Sequence, residues 1–110
     1  MRPDETRHQI SDLALKAGVY APTELMPRLE LLAKVASRFP EPVFMLAQQA
    51  MLVDAKKGLF FATRAAKVAA EAKARPWSHM PTDARIEWLS YGIAAMCARH
   101  WPNSGARHGM

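Results

Sequence analysis

Nowhere does this chain alternate apolar and polar residues in the way a half-buried strand must. Its apolar residues instead recur every three or four positions, and eight prolines punctuate the runs. A period of 3.6 gathers such residues onto one side of a helix. The pattern predicts an all-α fold, a compact bundle of four to five helices.

The first helix is expected over Pro3–Ala17. Asp4 and Glu5 suit the positive end of its dipole and Lys16 the negative end. Ile10, Leu13, Ala14 and Ala17 share a face, and Gly18 is a natural stop. The second helix is expected to start from Thr23 as N-cap and to bury Leu25, Leu29, Leu32, Ala36 and Phe39. "PEP" at Pro40–Pro42 should end it. From Pro42 to Ala74 the one break signal is Gly58. Leu59, Phe60 and Phe61 follow it directly, whereas a helical hairpin usually needs at least two linking residues. These residues are expected to form one rod of about 50 Å, bent at Gly58. Its second half, Leu59–Ala74, is rich in alanine, so neighbours can approach closely, and it should be the central helix. "PWSHMP" at 76–81 reads as a loop. The last helix should run from Thr82 to about Trp101, stopped by Pro102. Residues 1–101 would then be a single helical domain and 102–110 a disordered tail.

A chain of 110 residues, half of them hydrophobic, suits one domain with a real core. The single cysteine, Cys97, allows no internal disulfide, which fits a reducing compartment. The N-terminal "MRPDETRHQI" carries acids and no apolar run, unlike a secretory signal. The longest uncharged stretches, 42–53 and 88–98, fall short of the ~20 residues of a membrane span. The expectation is a cytoplasmic protein with no membrane partner.

Recognisable chemistry is sparse. The glycines are scattered, so no phosphate loop is expected. Cys97 and His100 can share a helix face, but zinc usually takes three or four ligands. Cys97 also falls with Ile86, Leu89, Ile93 and Met96 on the expected core face, where a cysteine is usually structural. Asp83 and Glu87 are explained as acids at a helix start. No catalytic residue, metal, cofactor or small-molecule substrate is expected.

The stretch "LALKAGVYAPTELMPRLE", Leu13–Glu30, resembles a helix-turn-helix segment across Ala14–Val19. The resemblance ends there. A recognition helix puts its N-terminal residues on base edges and backbone, and this one would bring Glu24 and Glu30 against a lone Arg28. Pro27 inside it also restricts Met26. An ordinary helical corner is expected.

Two stretches carry more than a core requires. Net charge is −1 over residues 1–55 and +6 over 56–110, and such asymmetry often marks an anionic partner. Within the second half, Phe60, Arg64, Lys67, Glu71 and Arg75 fall on one arc of the Ala-rich helix, its charges basic apart from Glu71. With Lys56 and Lys57 this arc could contact phosphates and stack on a base. On the last helix Trp88, Tyr91 and Ala95 form an apolar ridge about 150° from the core face, flanked by Arg85, Arg99 and the loop residue Trp77. A helix apolar on two sides is deeply buried or meets a partner. The leading expectation is a small non-enzymatic interaction module (accessory, adaptor or inhibitory) acting by protein–protein contact, including self-association. The alternative is a nucleic-acid-binding protein that uses the Lys56–Arg75 helix.

Overall fold

The computed structural model describes residues 3–17, 19–75 and 80–109, with the side chains of 5–17, 19–75 and 82–99. Across the described residues the chain forms five helices and no strand: α1 (Pro3–Lys16), α2 (Pro22–Val35), α3 (Pro40–Met51), α4 (Ala55–Lys73) and α5 (Met80–Gly109). The all-α bundle expected from the periodicity is the fold observed. No helix among the described residues is long and apolar enough to cross a membrane.

The helices pack in chain order. α2 lies on α3, α3 on α4 and α4 on α5, and α3 also reaches α5. The expected α2 stripe is buried in full. Leu32, Ala36 and Phe39 close over Ile10 of α1, while Leu25 and Leu29 meet Leu46 of α3. Among the described residues α1 touches α2 and α3, and lightly. Besides the packing of Ile10, Arg7 ties it to the bundle, donating to Glu41 Oε2 at 2.9 Å and lying 4.9 Å over the Phe39 ring.

The Ala-rich helix was expected at the centre, but among the described residues it is α3 that touches every other helix, while α4 is packed between α3 and α5. The buried side of α4 consists of Ala62, Ala65, Ala66, Ala69 and Ala72, which project nothing beyond a methyl. α5 answers with a stripe of Asp83, Ile86, Ser90, Ile93 and Cys97, all buried. Their three- and four-residue spacing keeps them on one side of the helix. Near the C-terminal end of α4 the Lys73 ammonium donates to Glu87 Oε1.

The expected rod over 42–74 is two helices, and the break falls at Leu52–Asp54, not at Gly58. Asp54 has an extended backbone, and its carboxylate accepts from the Lys56 amide at 3.0 Å. That is an N-cap, which satisfies one of the amides a helix start leaves orphaned. Gly58 lies one turn inside α4. A Cβ there would sit 2.7 Å from Cys97 Sγ and 2.9 Å from the Met51 Cα. Its glycine lets three helices meet and does not end one.

Three smaller boundaries also differ. α2 opens at Pro22 after an extended Ala21, so Thr23 is not its cap. Pro40 opens α3 and does not close α2, which ended at Val35. Proline at the first helical position lacks only an amide that would be unpaired anyway. α5 extends over Met80–Gly109, past the stop expected at Pro102. The Leu13–Glu30 segment is a helical corner. The amides of Val19 and Tyr20 both bond to the Lys16 carbonyl, at 2.9 and 3.0 Å. Arg28 lies 5.1 Å over the Tyr20 ring, so the cation nearest the start of the imagined recognition helix is stacked on the turn.

Candidate interaction surfaces

The face of α5 turned from α4 is unusually apolar. Trp88 is 76% exposed and Tyr91 56%, so neither is buried in the bundle. Leu89 and Met96, expected in the core, are exposed as well. They sit about 40–60° around the helix from Ile93. The alanine face of α4 is narrow and covers only the stripe directly opposite it. Arg85 and Arg99 are exposed near the two ends of this surface. Trp77, the remaining residue assigned to the ridge, lies outside the described residues.

A groove of about 660 Å³ runs between α3 and α5. Phe44 and Gln48 form one wall, and Trp88, Leu89, Gly92 and Met96 belong to the other. A Cβ built on Gly92 would meet nothing within 4 Å. The Tyr91 hydroxyl donates to Glu87 Oε2 at 3.4 Å, and the same carboxylate holds Lys73. The Lys73–Glu87 hydrogen bond and the negative charge of Glu87 hold the Lys73 ammonium above its usual pKa. Tyr91 is therefore anchored within the molecule. No contact of this kind involves Trp88 among the described residues.

The second surface belongs to α4. Lys56, Phe60, Arg64 and Lys67, together with Thr63, line a hollow of about 500 Å³. Their spacing of three and four residues puts them on one outward stripe. Phe60 is 61% exposed, so the long basic side chains do not cover it. Its ring meets Phe61 edge-on at 5.2 Å. Lys57, Arg64 and Lys67 are exposed and make no ion pair among the described residues. Arg75 differs from the rest of the expected arc. It donates to the Arg38 carbonyl at 3.0 Å and lies 3.9 Å from Glu71, so it ties α4 to the α2–α3 corner.

Cys97, Asp83 and Glu87 are engaged or covered, and the His100 side chain lies outside those described. Cys97 is buried, and burial pushes its thiol pKa up, away from the reactive thiolate. Asp83 is buried at the α4–α5 contact, and Glu87 is held by Lys73. No three His, Cys, Asp or Glu side chains cluster among the described residues in a way that could hold a metal ion.

Sequence reasoning named Trp88, Tyr91 and the two arginines, which the structure leaves exposed, and did not name the α3 wall of the groove. Phe44 and Gln48 stand four apart on α3, a spacing that marks a shared face and does not say which face is left uncovered.

The geometry thus describes a helical bundle that leaves open, among other surfaces, an apolar face on α5 and a basic stripe on α4. Comparison with known proteins adds no relative: no protein family, no curated protein and no solved structure matches the chain.

Proposed function

We propose that this protein is a small non-enzymatic interaction module that binds another protein, or a second copy of itself, through the outward face of α5. The observation that carries the reading is Trp88. A tryptophan 76% exposed at the edge of an apolar groove contributes little to the fold it sits on. Soluble monomers rarely leave contiguous apolar surface open without a use. Buried tryptophan, tyrosine and arginine are also the residues on which interface energies concentrate. The test is Trp88→Ala. Association, followed by sedimentation or pull-down, should weaken by about 2 kcal/mol or more, while the melting temperature stays within about 2 °C. A large melting loss without a binding defect would make Trp88 a folding residue and remove the basis of the proposal.

A second reading has its own support. Lys56, Phe60, Arg64 and Lys67 around one hollow suit a nucleic-acid strand, with cations for phosphates and an aromatic face for a base. This alternative predicts affinity that falls steeply with salt, whereas docking on the apolar groove alone does not.

A further inference from the structure

The apolar face of α5 is bracketed by charge. Arg85, Leu89, Gly92, Met96 and Arg99 are all exposed, and they are spaced four, three, four and three residues apart. That spacing is the seam along which one helix lies against another. Its centre is apolar and opens onto the α3–α5 groove, where Gly92 has empty space above it. Its ends are cations about 21 Å apart along the axis. Neither arginine makes an ion pair among the described residues, and the nearby carboxylate on α5, Glu87, is held by Lys73.

We propose that this seam receives an amphipathic helix of another protein, apolar in its middle and carrying a carboxylate at each end to meet Arg85 and Arg99. The assignment rests on the reading of α5 as the interaction face and goes further by naming the occupant. The absent side chain at Gly92 lets the incoming helix approach closely at its midpoint. Trp88 and Leu89 flank that midpoint, and Phe44 with Gln48 forms the far wall.

Charge also argues against a second copy of the chain. In a two-fold antiparallel pairing centred on Gly92, Arg85 of one copy falls opposite Arg99 of the other. In a parallel pairing each arginine meets its own equivalent. Both arrangements set like charges together at both ends of the seam, and such juxtaposition selects against a partner. An acidic-ended helix converts both clashes into attractions.

The test uses two ~20-residue helical peptides with the same leucine seam. One carries glutamates at the two end positions, and the other carries lysines there. Binding to the full chain is followed by fluorescence anisotropy, and the contact site by amide shifts in α5. The glutamate peptide should bind about ten-fold or more tighter than the lysine peptide at low ionic strength. The shifts should concentrate over Leu89–Met96, and the gap should shrink as salt is raised. Arg85→Glu with Arg99→Glu should reverse the order of the two peptides. Equal affinities, or an order unchanged in the double variant, overturns the acidic occupant while leaving α5 as an interaction face. Wild-type protein that sediments as a dimer, and returns to monomer on Trp88→Ala, also overturns it in favour of a second copy. Monomeric protein with no α5 shifts from either peptide removes both the occupant and the interaction face.

Discussion

Alanine at Gly58 and alanine at Gly92 should move stability in opposite directions. Both glycines lie inside helices, where alanine is favoured by about 1 kcal/mol. At Gly92 nothing stands within 4 Å of the added methyl. Gly92→Ala should therefore stabilise the free protein by about 0.5–1 kcal/mol, a rise of a few degrees in melting temperature. At Gly58 the methyl would lie 2.9 Å from the backbone of Met51 and 2.7 Å from the Cys97 sulfur. Backbone cannot step aside as a flexible side-chain end can, so overpacking of about 1–3 kcal/mol outweighs the propensity gain. Gly58→Ala should lower the melting temperature, and thermal unfolding followed by circular dichroism checks both variants. In the sequence the two residues look alike. What separates them is the approach of α3 and α5 to one glycine and not to the other, which is a property of packing. Leu89 and Met96 show the same limit. Their helical phase allows either a core or an edge position, and the narrowness of the alanine face they adjoin decides for the edge.

Most of the helices were legible because proline and periodicity act locally. Leu25, Leu29 and Leu32 of α2 and the alanine stripe of α4 are buried as their spacing requires, and Ala36 and Phe39 are buried beyond the end of α2. The break between α3 and α4 was not legible, because "MLVDAKK" contains neither glycine nor proline. The available signal was Asp54, a favoured N-cap residue, and Gly58 drew attention from it. Side-chain capping, with the Asp54 carboxylate on the Lys56 amide, starts a helix without any backbone peculiarity. At this scale α1 is the weakest element. It has few tertiary partners, and Arg7 supplies both its ion pair with α3 and its stacking on Phe39. Arg7→Ala should cost about 1 kcal/mol, since the Glu41 partner is largely buried and is left without its cation. The loss should fall mainly on α1. Amide exchange across residues 5–16 should quicken, while that of Ala62–Ala72 stays close to wild type. Uniform acceleration through all five helices would mean that α1 unfolds only with the rest.

For the molecule as a whole, charge asymmetry and shape coincide: the net positive half of the chain contains both α4 and α5, and each presents its own surface. The two can be separated by salt. If nucleic acid is bound through α4, Arg64→Ala with Lys67→Ala should reduce the slope of log affinity against log salt by about two. Arg75→Ala should leave that slope unchanged, because its guanidinium is already committed to the Arg38 carbonyl. A slope untouched by the double variant, with binding intact, would rule out the α4 stripe as the phosphate track. The same chain-order stacking has a kinetic consequence. Each helix packs chiefly on the next in sequence, so assembly closes short loops and forfeits little entropy before contacts form. Low contact order of this kind belongs to proteins that fold in microseconds to milliseconds. An unfolded chain would thus expose the edges of its alanine and leucine stripes only briefly, and the apolar patch left open to other molecules for any length of time is the one on the finished surface.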